Sequence, residues 1–135
     1  MGLDMYLTGD EYIPTYDAAV KREVRNGFEV ESYRLKMGYW RKFGPLHAFM
    51  VKRFADGVDN CAPISLDASN LREVASALRA NALPDNDESH GFFFGDHAWW
   101  DENRADAERH AEVFDRAAEW VEADGWRSVI YQASW

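Results

Sequence analysis

Apolar and polar residues alternate from Leu3 to Thr8, with Leu3, Met5 and Leu7 on one side and Asp4, Tyr6 and Thr8 on the other. A two-residue period is the signature of a strand with one buried face. Gly9-Asp10 and Pro14 mark a loop after it. Alternation resumes at Val20, Arg22 and Val24, breaks at Asn26-Gly27 and returns at Phe28 and Val30. Asn-Gly between alternating runs predicts a tight hairpin, with a short helix over 16–25 as the competing reading. The next strand, Arg34 to Lys42, alternates two kinds of face. Tyr33, Leu35, Met37 and Tyr39 form the side predicted to be buried, and Arg34, Lys36, Trp40 and Lys42 the side predicted to be open.

The period then changes to that of helices. Gly44-Pro45 opens the first, because proline at the first helical position sacrifices no hydrogen bond. Leu46, Phe49, Met50 and Phe54 supply its apolar face, and Asp56-Gly57 ends it. Val58 to Ser65 is predicted to be extended, and Asp67 caps a second helix with the stripe Leu71, Val74, Ala75 and Leu78. Residues 81–90 are polar and predicted to be a loop. Gly91-Phe-Phe-Phe-Gly95 is predicted to be a strand buried on both faces. Asp96 begins a third helix that runs to about Glu122 and stops at Asp124-Gly125, before a last strand from Trp126 to Ser134. Along that helix Trp100, Ala107, His110, Phe114, Ala117 and Val121 form an apolar stripe, opposite Asp101, Glu108, Glu112, Asp115, Glu119 and Glu122. The whole predicts a single α+β domain over residues 1–135, with a mostly antiparallel sheet and three helices packed against it.

Composition narrows this without changing it. A chain of 135 residues buries roughly two-thirds of its unfolded surface, enough for a core without disulfide or metal. One cysteine, Cys61, excludes an internal disulfide, which suits a reducing compartment. No charged leader precedes an apolar run and no window approaches a membrane span, so the expected location is the cytoplasm. The net charge of -9 is uneven: residues 1–55 carry 9 Lys/Arg against 7 Asp/Glu, residues 56–135 carry 6 against 17. Phosphates are repelled by such an acidic half, so no direct nucleic-acid binding is expected. The acidic helix side suits a solvated face, or a docking surface for a basic host protein.

Three constellations carry candidate chemistry. On the basic strand and its exit, Arg34, Lys36, Trp40, Arg41, Lys42 and His47 combine cations, an indole and a helix start, a set suited to an anionic planar ligand such as a nucleotide. The same cations equally suit pairing with the protein's own carboxylates. His47 with Cys61 or Asp59 offers a second class, a small hydrolase or transferase, since a thiolate nucleophile needs a neighbouring base. No family-type signature surrounds Cys61, and a free cysteine is commonly a small buried residue. Third, Asp85-Asn-Asp-Glu-Ser89 has the opening spacing of a calcium loop, but His90 stands where the turn needs glycine and Asp96 where the last ligand is Glu. His47, His90, His97 and His110 form no paired metal motif, and neither metal nor cofactor is expected. Phosphate-loop, dinucleotide and nucleophile-elbow motifs are absent.

The opening Met-Gly-Leu-Asp-Met-Tyr-Leu7, Gly38-Tyr-Trp-Arg-Lys42, His47, Asp56-Gly-Val-Asp-Asn-Cys61, Gly91-Phe-Phe-Phe-Gly95 and the closing Tyr131-Gln-Ala-Ser-Trp135 together resemble a family of small, largely uncharacterised bacteriophage and prophage proteins. The resemblance runs from end to end and is weakest over 11–32. It implies a phage or prophage origin and a cytoplasmic single domain, and no established activity. The expectation is a small binding protein that captures an anionic, nucleotide-like ligand or blocks a host factor. The alternatives are the His47 hydrolase or transferase and an inhibitor acting through the acidic helix; oligomeric state is not legible.

Overall fold

In the computed structural model, which describes residues 2–17, 19–83 and 105–135, the alternating segments form a four-stranded sheet. Strand β1 (Asp4–Tyr12) pairs antiparallel with β4 (Ser32–Arg41) on one side and β6 (Arg127–Ser134) on the other, and β6 pairs with β5 (Ile64–Leu66). Among the described residues the order β4-β1-β6-β5 leaves β4 and β5 as the two edges. A separate hairpin joins β2 (Val24–Arg25) to β3 (Phe28–Glu29). Its turn residues Asn26 and Gly27 have φ of 53° and 84°, the two left-handed positions an Asn-Gly turn supplies. Helix α1 is Gly44–Phe54, α2 is Ala68–Arg79 and α3 is Ala107–Glu122. Among the described residues the architecture is α+β, with a mostly antiparallel sheet and three helices. The predicted Gly91–Gly95 strand, the calcium-like loop, His90, His97 and the Asp96 helix start lie outside the described residues.

The core forms where the helices meet one face of the sheet. Leu3 just before β1, Met5 and Leu7 within it, Val129, Tyr131 and Ala133 of β6, and Leu71, Val74 and Leu78 of α2 are all buried there, with Phe114 of α3. Asp67 caps α2 by accepting the backbone N–H of Asn70 while the Asn70 side chain accepts from the Asp67 N–H. Arg79 of α2 reaches Glu108 (2.9 Å) and Asp115 (2.6 Å) of α3, and Arg72 reaches Glu122. These acids bridge the two helices while staying on a solvated face. Glu112 and Glu119, exposed on the same side, make no ion pair among the described residues.

Three local predictions are corrected. Gly9-Asp10 is strand, not loop. An added Cβ at Gly9 would lie 2.4 Å from Met37 and 2.8 Å from Trp120, so glycine lets those side chains cross the strand. Of the predicted Val58–Ser65 segment only Ile64 and Ser65 are strand, which runs on to Leu66. The third correction concerns β4. Leu7 pairs with Gly38 but Thr8 with Lys36, so Met37 is an extra residue, a β-bulge. One extra residue reverses which side chains point inward. Leu35 and Met37 face the helices before the bulge, and Gly38 and Trp40 face them after it; Tyr39 turns outward onto Lys36 and Tyr6.

Trp40 is consequently 5 % exposed. Its ring lies parallel to Phe114 at 5.2 Å, and its Nε1–H donates to His110 Nδ1 at 3.0 Å. Replacing Trp40 by Phe keeps the stack but leaves His110 Nδ1 without its donor. We expect a loss of about 1–3 kcal/mol in urea-induced unfolding, against about 3–5 kcal/mol for Trp40→Ala.

Candidate functional site

The residues expected to form an anionic-ligand site do not meet. Trp40 is in the core, on the opposite side of β4 from Arg34 and Lys36, because of the bulge. Arg34 stands 4.0 Å from Asp10 and Arg41 4.0 Å from Asp4, their cross-strand neighbours in the sheet. Lys36 lies over the Tyr39 ring. Lys42 leaves the strand with φ of 56°. His47 lies inside the protein at 2 % exposure. The basic strand thus keeps its cations but loses the indole that stacking requires.

His47 instead belongs to a second cluster, which the sequence offered only as an alternative. Helix α1 places it one turn from its start, facing β6. There Nδ1 lies 2.7 Å from the Tyr131 hydroxyl, while Nε2 lies 2.9 Å from Asp59 Oδ1. Burial pushes the imidazole below its ordinary value and outweighs the opposing pull of the Asp59 carboxylate, so the ring is neutral. A neutral ring has one N–H, and a carboxylate can only accept. Nε2–H therefore donates to Asp59, and Nδ1 accepts from the Tyr131 O–H. Burial raises the Tyr131 phenol well above its ordinary value, which keeps that proton in place.

This chain of bonds borders a cavity of about 310 Å³ between the C-terminal half of α1, the 58–63 loop and the β5–β6 edge. Val51, Phe54, Ile64 and Ala133 give it apolar walls, while Asp59, Cys61 and Ser65 give it polar ones. The Asp59 side chain is 30 % exposed, so the carboxylate is anchored on one oxygen and reachable from solvent. The loop is held by one bond within itself and one to β6. The Ala62 N–H donates to Asn60 Oδ1 (3.1 Å), and the Gln132 amide donates to the Cys61 carbonyl (3.0 Å). Cys61 between them has φ of 61°, a left-handed conformation that costs a non-glycine residue about 1–2 kcal/mol.

The structure thus brings His47, Asp59 and Cys61 to one cavity, as the alternative reading required. The sequence reasoning missed Tyr131. Its signal was available: a tyrosine at an inward position of a buried strand needs a partner for its hydroxyl. Among the described residues no three His, Cys, Asp or Glu side chains come together to hold a metal ion, and no helix is long and apolar enough to cross a membrane. Compared with protein-family models, curated proteins and solved structures, the chain matches none.

Two buried neutral histidines, His47 and His110, set a pH dependence. Burial lowers both below the ordinary 6.5, so the unfolded chain takes up protons first as pH falls. Stability is therefore full above about pH 7 and declines below about pH 6.5, by up to about 1.4 kcal/mol per pH unit for each histidine. Urea titrations at pH 7.5, 6.5 and 5.5 check this. A folded His47→Gln, His110→Gln double variant should give a flatter profile.

Proposed function

We propose that the protein binds a small neutral or cationic ligand in the α1–β5–β6 cavity, with the ligand donating hydrogen bonds to Asp59. The observation that carries this reading is the charge of the lining: among the described residues, the cavity contains the Asp59 carboxylate and no Lys or Arg. An anionic nucleotide would meet that charge unopposed, whereas an amine, amidine or amide would be attracted. Anchoring by His47 supports the same reading, because a carboxylate fixed on one oxygen presents the other in a defined direction at little entropic cost.

The hydrolase or transferase alternative has a specific observation in its favour, the left-handed Cys61 beside His47 and Asp59. It meets a chemical obstacle. Both imidazole nitrogens are engaged, one by Asp59 and one by Tyr131, so His47 has no lone pair ready to take a thiol proton. Binding is the simpler use of the site. The resemblance to small bacteriophage and prophage proteins is the ground for reading the ligand as one of a host cell. A basic partner docking on α3 is less favoured, since Arg72 and Arg79 already occupy three of its acids.

A thermal-shift screen of small alkylamines, guanidines and primary amides, with nucleotides as the contrasting set, tests the proposal. We expect one of the first three classes to raise the melting temperature, with about 2.7 kcal/mol of stabilisation at a hundredfold excess over Kd, and Asp59→Asn to abolish the shift. Stabilisation by nucleotides that survives Asp59→Asn, or no shift with any of the three classes, would overturn it.

A further inference from the structure

The opposite edge of the sheet carries a different surface. Among the described residues no strand pairs with the outer side of β4, and Ser32–Lys36 are all exposed, so this stretch can receive another extended chain. Beside that edge, on the helix-covered face, lies a groove of about 350 Å³ floored by Met37, Val113, Ala117 and Trp120. Leu35 forms its wall and is 40 % exposed. The charged residues lining the groove are Lys36 and Arg116, with no acid among them, in a chain whose net charge is -9.

These features select an occupant. The bulge at Met37 interrupts the edge, so regular pairing is available along Ser32–Lys36. A second copy is a poor partner there. Two β4 strands paired antiparallel about Leu35 would set Arg34 of one copy opposite Lys36 of the other, and like charges directly opposed are destabilising. An acidic segment turns the same cations into attraction. Among the described residues Arg34 meets an exposed Asp10 at 4.0 Å, a pair worth little in water, so it can be recruited. We infer that β4 is a docking edge for an extended acidic–apolar segment of a partner protein, pairing with Ser32–Lys36, dropping alternate apolar side chains into the groove and setting the intervening Asp or Glu residues against Arg34 and Lys36 on the other face.

The test uses the full chain and an array of labelled hexapeptides alternating apolar residues with either Glu or Lys. The Glu series should bind at least about tenfold more tightly than the Lys series, and the order should reverse in an Arg34→Glu, Lys36→Glu variant. Hydrogen exchange should show new amide protection confined to the Ser32–Lys36 stretch, and Leu35→Asp should abolish it. Equal binding of the two series, no binding by any Glu peptide, protection elsewhere, or displacement of the bound peptide by decanoate without any loss of edge protection would each overturn the inference.

Discussion

One extra residue in β4 governs how the molecule is divided between inside and outside. Because Met37 has no partner in β1, the side-chain phase of the strand reverses between Lys36 and Gly38. That reversal turns Trp40 into the core and Tyr39 onto the open face. Gly38 makes room for it: a Cβ there would stand 2.6 Å from the indole. Once inside, the indole N–H must find an acceptor, because an unpaired buried donor costs more than the bond returns. His110 supplies it from α3, one helical turn before the Phe114 ring on which the indole lies. That polar bond ties the long helix to β4. Among the described residues His110 Nε2 finds no partner, so this arrangement carries an internal cost as well as a gain.

The two sheet edges follow from the same division and differ in chemistry. At β5, the short strand and the loop before it leave a hollow, and α1 closes one side of it. The polar chain from Tyr131 through His47 to Asp59 carries buried groups out to a carboxylate at the surface, so each interior polar atom along it is satisfied. At β4, the strand is long, and cations line its rim. The sheet therefore presents an acid at one edge and bases at the other. Its open face is occupied largely by ion pairs and by the Tyr6–Tyr39 ring contact between neighbouring strands.

Much of the fold was legible because local signals and tertiary packing agree. The Asn26-Gly27 turn, the Pro45 helix start, the Asp67 cap and the Leu71-Val74-Ala75-Leu78 stripe all stand where sequence spacing put them. The errors cluster where a strand departs from regular alternation. A bulge has no compositional mark in Arg34–Lys42, so parity counted from Tyr33 put Trp40 on the wrong side. Gly9 signalled a turn but serves a close crossing of Trp120 over the strand. The candidate site was legible only as fragments. His47, Asp59 and Cys61 are separated by up to fourteen positions, and their meeting depends on the path of the 58–63 loop. Tyr131 joins them from the far end of the chain, a contact that no local pattern encodes.

The most direct measurement of this account is the state of the Trp40 indole in solution. In a nitrogen-labelled sample, its Nε1–H should exchange slowly with solvent and show scalar coupling through the hydrogen bond to His110 Nδ1. Nuclear Overhauser contacts should link the indole to Phe114, and Lys36 to Tyr39. An indole proton that exchanges at the solvent rate, without that coupling and with contacts to Lys36 in place of Phe114, would contradict the bulged arrangement from which the rest of the account follows.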